Sequence, residues 1–340
     1  MGGDFMDRAS THRFPRTVRA TAGDPSRRTR RSRAAGFAGA FLLGCGLLST
    51  ACRPQEGGDS FGVIAVFGGR GLADGKFSYP RAVAAEPGPG GSLFVVDKTG
   101  RIQRFAPDGT FELGWTMPAF EAGKPVGLTV HPDGRLFVAD THYHRVVVFD
   151  RTGRLLATFG KEGRGDGEFL LPTDVAVDED GWIYVSEYQG NDRITVWRPD
   201  LSFDRVLIAG TVGGKPLRRP AGIDFDREQT LWVADACNHR ILGISREGKV
   251  RKVFGEFGEA PGQLRYPYDL DVTPEDTLLV CEYGGNRLQW FDKQGRSLRV
   301  WGRPGRKPGE LFAPWGATYG PGGNVYVVDS LNNRVQVVRP

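Results

Sequence analysis

Histidine, cysteine and methionine are scarce in this chain of 340 residues, at five, four and three. No Cys-x-x-Cys pair or Gly-x-x-x-x-Gly-Lys-[Ser/Thr] loop occurs, which removes thiol-redox and phosphate-loop chemistry. The single Gly-x-Ser-x-Gly match, residues 58–62, follows no strand pattern and opens no helical one, so it is not a nucleophile elbow. Helical periodicity is almost missing after residue 60, which excludes a helical array. The apolar run at residues 34–48 is shorter than the ~18 residues a spanning helix needs. Net positive charge is lacking where most of the chain lies. Residues 1–35 carry nine Arg against three Asp, a net of +6, and residues 36–51 are uncharged. The whole chain is +5, so residues 52–340 come to 5 − 6 = −1. A near-neutral body argues against a general phosphate-binding surface, and nucleic acid is not an expected partner.

What is abundant is repetition. Six copies of one phrase recur at about 47 residues. Each has a Pro, an alternating strand, a turn, a strand ending in Asp or Glu, a short loop, and an Arg that opens a third strand. The prolines are Pro80, Pro125, Pro172, Pro220, Pro267 and Pro314. The acids are Asp97, Asp140, Glu187, Asp235, Glu282 and Asp329, and the arginines Arg101, Arg145, Arg193, Arg240, Arg287 and Arg334. Short strands at this period predict propeller blades. Copy 3 shows the plan: Asp174–Asp178, a turn at Glu179-Asp-Gly181, Trp182–Ser186, a loop, Arg193–Trp197, and an outer strand ending near Ile208. The last copy lacks an outer strand, and the first strand, residues 61–67, lacks inner ones. Docking one on the other hides two sheet edges. The expectation is an all-β, six-bladed β-propeller over residues 61–340, its last blade built from both chain ends.

Three stretches carry a family resemblance. They are Phe159-Gly-x-x-Gly-x-Gly-x-Gly-x-Phe169, Asp235-Ala-Cys-Asn-His-Arg-Ile241 and Asp329-Ser-Leu-Asn-Asn-Arg-Val335. They resemble the NHL repeat, and the resemblance covers residues 61–340. It implies the propeller. It does not choose among the enzymes, RNA binders, protein-binding modules and sensors built on that fold. Copy 1 departs, with the shortened Asp97-Lys-Thr-Gly-Arg101, and copies 2 and 4 lack the full Gly-rich lead-in loop. The family's amidating lyases hold a channel zinc with histidines from separate blades. Here His142 and His239 have no evident third partner from another blade.

Residues 1–52 read as a leader. A basic flank precedes the apolar stretch, and Leu48-Ser-Thr-Ala-Cys52 resembles a bacterial lipoprotein cleavage site. Cys52 would carry the lipid, with Cys45 the alternative. Residues 53–60 read as a flexible tether. The expected location is the cell envelope on the extracytoplasmic side, held by the lipid alone, with a monomeric propeller. Cys237 and Cys281 remain in the body, and two packed free thiols are expected rather than a disulfide.

Strand parity brings the lead-in loops and the loops after each acid to one face. Residues just after each Pro then ring the channel mouth: Arg81, Val126, Thr173, Ala221, Tyr268 and Trp315. The next ring is Ala82, Gly127, Asp174, Gly222, Asp269 and Gly316. Counting across each hairpin sets Asp174 opposite Glu187 and Asp269 opposite Glu282, two carboxylate pairs. Like charges that close need neutralising. Arg193 and Arg287 could fork across them, a proton could be shared, or a cation such as Ca²⁺ could bind. Metal candidates are Asp174, Asp269, His142 and His239, with Ca²⁺ or Zn²⁺ the ions considered. Tyr188, Tyr268, Tyr283, Trp315 and Tyr143 add apolar area beside Arg81, a mixture suited to a peptide, sugar or other small ligand. The reading is a binding module for a protein, peptide or small-molecule ligand, with carboxylates orienting a cationic or hydroxyl-bearing group. A metal-dependent lyase or hydrolase at the same mouth is one alternative, and an extracytoplasmic assembly scaffold the other.

Overall fold

The computed structural model describes residues 62–88 and 90–340. The leader, the tether, Phe61 and both lipidation candidates lie outside the described residues. Among those described, no helix is long and apolar enough to cross a membrane.

Six four-stranded antiparallel sheets follow one another along the chain. The innermost strands are Pro80–Ala85, Gly127–Val130, Leu171–Val177, Pro220–Phe225, Pro267–Val272 and Gly316–Tyr319. Five second strands end at the repeat's acid and that of blade 3 one residue beyond it, at Tyr188, and the third strands begin at the six arginines, as the repeat predicts. The strand Gly62–Gly68 lies antiparallel on Arg334–Arg339 and supplies the outer edge of blade 6. This closes the ring in the way the two incomplete ends foretold. Val, Ile, Leu and Phe alternate inward and fill six apolar clusters between neighbouring sheets. Phe77, Phe94, Phe105, Phe137 and Phe169 are wholly buried, each stabilising by roughly 1.5–3 kcal/mol.

The acid and Arg of each repeat are a scaffold. Asp235, fully buried, accepts from the Arg218 N–H and pairs with Arg240 at 2.7 Å. Arg240 in turn donates to the carbonyls of Val212, Gly213 and Lys215. Those residues belong to a small hairpin, Thr211–Val212 against Lys215–Pro216, which replaces the Gly-rich loop in blade 4. The same arrangement fixes the lead-in loops of blades 1, 3, 5 and 6 through Arg101, Arg193, Arg287 and Arg334. Those four loops each close with one isolated bridge, such as Glu162 to Phe169. They need glycine. A Cβ on Gly163, at φ +153°, would stand 2.0 Å from Glu168 Oε2. Blade 2 has no such loop, and there Asp140 Oδ1 and Arg145 Nη2 are buried without partners.

The residue before each Arg latches one blade to the next. Asn333 Oδ1 accepts from the Tyr79 N–H at 2.9 Å, and Asn286 Oδ1 from Ala313 at 2.7 Å. His239 Nδ1 accepts from Tyr266 at 3.1 Å, Asp192 Oδ1 from Arg219, and His144 Nδ1 bonds the Leu170 carbonyl. Blade 1 has Gly100 at this position and no side chain to offer.

Candidate channel-mouth site

The register of the inner hairpins overturns the expected carboxylate pairs. Pro172 stands opposite Glu187, and Asp174 opposite Ser186, with the register broken between them. Blade 5 repeats this: Pro267 faces Glu282 and Asp269 faces Cys281. The extra residue is a β-bulge just after the proline, which hairpin counting does not see. At Thr173 the bulge is held by its hydroxyl, which donates to the Pro220 carbonyl at 2.8 Å. A slip of one residue sends the side chains to different places. Glu187 and Glu282 are wholly buried, pair with Arg193 and Arg287 at 2.5 and 2.6 Å, and take no part in the mouth.

Asp174 and Asp269 do line the channel, with two acids that counting two rings had passed over, Asp224 and Asp271. Each carboxylate accepts an N–H from the innermost strand of the following blade: Ile223 for Asp174, Val272 for Asp224, Ala317 for Asp269 and Tyr319 for Asp271. Those N–H groups lie on sheet edges and would otherwise be orphaned. Glycine makes the room. A Cβ on Gly127 would meet Asp174 Oδ1 at 2.7 Å, and one on Gly222 would meet the Asp269 Cα at 2.6 Å. This explains the alternation of Asp and Gly around the ring.

Burial raises all four acids. Asp174 is pushed up to about 8 and Asp271 to about 6 by desolvation, against backbone N–H bonds that favour ionisation. Asp224 and Asp269 are pushed well above the usual range by desolvation and then by their neighbours' charge, Asp271 and Asp174 respectively. Asp224, Asp269 and Asp271 keep some surface open and line the channel cavity. Burial favours the protonated form in this group, least for Asp271, while Arg193 and Arg287 pair with Glu187 and Glu282 instead.

Above the acids the mouth is cationic and aromatic. Arg81 leaves the inner strand of blade 1, 7% exposed, with its guanidinium 4.6 Å from the Trp315 ring centre and 5.4 Å from that of Tyr79. It makes no ion pair with any described residue, and its Nε is buried without a partner. Its electrostatic neighbours are Tyr79, Tyr188, Arg219 and Tyr283, so it reaches across the opening towards blades 3, 4 and 5. Arg219 stacks between Tyr188 and Tyr268, at 4.7 and 4.3 Å. Tyr268 and Tyr283 stack at 4.5 Å, both edge-on to Trp315. Burial raises the Tyr268 hydroxyl to about 12 and lowers the Arg81 guanidinium. Beneath lies a cavity of about 170 Å³ lined by Arg81, Arg219, Trp315 and the acids.

Arg81, Tyr188, Tyr268, Tyr283 and Trp315 are therefore brought together as the repeat predicts. Tyr143 is not: it lies against Glu121 and Arg145. The metal candidates do not assemble either. His239 is spent on Tyr266 and packs between Phe257 and Tyr266, and neither it nor His142 lines the cavity. No group of three His, Cys, Asp or Glu with metal-holding geometry occurs among the described residues. Cys237 and Cys281 are free thiols, and Cys281 fills a small buried slot. Tyr79 and Arg219 were not expected in the site. Both sit immediately before the proline with left-handed backbones, φ 54° and 60°.

Comparison with known proteins supports the architecture. A family model described as a 6-bladed beta-propeller matches residues 116–194, and the NHL repeat model matches 217–244 and 313–338. Protein brain tumor of Drosophila melanogaster is 30% identical over 133 residues, 39% of this chain and 12% of that protein. The chain spans between 12% and 37% of four of the curated relatives it matches. A gluconolactonase from Xanthomonas campestris superposes with a TM-score of 0.60 at 16% identity, covering 85% of this chain and all of that one. A streptogramin B lyase gives 0.59 at 14% identity, covering 81% and 97%. At such identities the likeness is one of fold.

Proposed function

We propose, from the premise that the chain is an NHL-repeat six-bladed β-propeller, that it acts as a binding module with its site at the channel mouth. The carrying observation is Arg81. A charge taken out of water costs several kcal/mol, and a buried guanidinium ordinarily has a carboxylate beside it. Stacking on Trp315 and Tyr79 returns about 0.5–2 kcal/mol of that. The balance is recovered when a ligand supplies the missing counter-charge. The polarity is the reverse of the one the repeat suggested: guanidinium groups face the ligand, and the acids lie beneath, occupied with backbone N–H groups.

The test is thermal denaturation of the full chain against a panel of anionic, neutral and cationic small molecules. A compound that raises the Tm of the wild type, but not of Arg81→Gln, supports the reading. A panel whose effects are identical in both proteins refutes it. A second reading, a lyase or hydrolase at the same mouth, draws on Asp174, which holds a proton near neutrality. It requires turnover that Asp174→Asn abolishes while ligand binding survives.

The setting proposed is the cell envelope, with lipid on Cys52. That proposal rests on Leu48–Cys52 of the sequence. Expression with an alkyne-tagged fatty acid should label the wild type and not Cys52→Ser; equal labelling rejects the assignment.

A further inference from the structure

If the channel mouth is a binding site, its side chains also select a ligand class, and that class rests on the binding reading. Both guanidinium groups lie against rings, Arg81 at 4.6 and 5.4 Å from the Trp315 and Tyr79 centres and Arg219 at 4.7 and 4.3 Å from those of Tyr188 and Tyr268. A guanidinium recognises an anion best through its edge, where N–H groups lie in one plane as a fork. The planar acceptor that matches a fork is a carboxylate, held by two parallel bonds. Arg81 has no such acceptor among the described residues, is more than nine-tenths buried, and borders the cavity. The hydroxyls of Tyr79 and Tyr283, electrostatic neighbours of Arg81, add neutral polar groups beside it.

Charge and size narrow the class. Asp174, Asp224, Asp269 and Asp271 line the space below, and Asp271, raised only to about 6, keeps a charge near neutrality that a second negative charge on the ligand would meet. That selects a monoanion over phosphate. The cavity of about 170 Å³ falls below the ~300–1,000 Å³ of pockets that take drug-sized molecules. We infer that the channel mouth binds a small organic monocarboxylate, its carboxylate forked on the edge of Arg81 beside Arg219.

Isothermal titration of the full chain with sodium benzoate, benzamide and inorganic phosphate at constant ionic strength tests this. Benzoate should bind with a Kd of about 1 mM or tighter, and the isosteric amide at least about ten-fold more weakly. Phosphate should be weaker than benzoate. Arg81→Gln should lose benzoate about ten-fold or more, with Arg81→Lys between it and wild type. Equal affinity for benzoate and benzamide, tighter phosphate, or no benzoate binding overturns the inference, and these comparisons need only the wild type. A neutral or cationic compound whose stabilisation depends on Arg81 would overturn the carboxylate while the binding reading stood. A panel with no Arg81-dependent compound would overturn both.

Discussion

Stability should fall as pH rises from 5 to 8.5, and Asp174→Asn should remove much of that fall. The folded protein holds Asp174 protonated to about 8, whereas the unfolded chain releases that proton near 3.8. Between those values the folded state binds more protons. By linkage, unfolding free energy then decreases with increasing pH, the reverse of a salt-bridged aspartate. The stability is fully present below the unfolded value and is lost as pH climbs through the folded one. A gap from 3.8 to about 8 sets a ceiling of about 6 kcal/mol, at ~1.4 kcal/mol per pH unit. Channel water and sharing among four acids screen the cost, and a loss of about 2–3 kcal/mol is expected. For a domain of this size that is a Tm lower by about 4–10 °C at pH 8.5 than at pH 5. Asparagine reproduces the protonated acid and keeps an oxygen for the Ile223 N–H. Asp174→Asn should therefore match wild type at pH 5 and exceed it at pH 8.5. Thermal denaturation of both proteins at the two pH values is the assay. A wild-type Tm that is flat or rises over this range would refute the reasoning, as would a variant equally destabilised at both.

The packing sets three further outcomes. Arg240→Met strands a wholly buried Asp235 and three carbonyls, and should cost about 3–5 kcal/mol. Arg145→Met also strands a wholly buried acid, Asp140, but frees no lead-in carbonyls, so it should cost less than Arg240→Met; equal losses in urea denaturation would reject the scaffold role. Gly222→Ala places a Cβ 2.6 Å from the Asp269 Cα, and should cost more than about 3 kcal/mol by the same assay, where an unstrained site would gain. Thiol titration of the native protein should leave Cys281 unmodified and Cys237 slow, since burial raises both thiols; rapid modification of Cys281 would place it outside the core.

The repeat made the ring legible because three markers hold one register: Pro, acid and Arg. Their physical job is local and identical in nearly every blade, so it survives in the sequence as a pattern. The closing strand was legible for a related reason, as each chain end lacked what the other had. The mouth was half legible. Arg81, Tyr268 and Trp315 follow the proline directly, and position alone places them. What counting could not see was the bulge at Thr173, since one extra residue leaves no mark on composition. With it went the true surroundings of Asp174 and Asp269. Asp224 and Asp271 stand two residues beyond the second ring, and extending the alternation once more would have found them. Tyr79 and Arg219 precede the proline, where a left-handed backbone turns them into the mouth.

The latches between blades have a mechanical consequence. Five junctions carry one, including that from blade 6 to blade 1. The junction from blade 1 to blade 2 has Gly100 in the latch position, and beyond it Asp140 and Arg145 hold no lead-in loop. Compliance in such a ring is not shared evenly. It behaves like a split washer, stiff around most of its circumference and able to spread at one cut. The cut is not where the chain begins and ends but between two consecutive blades, beside the strand that carries Arg81.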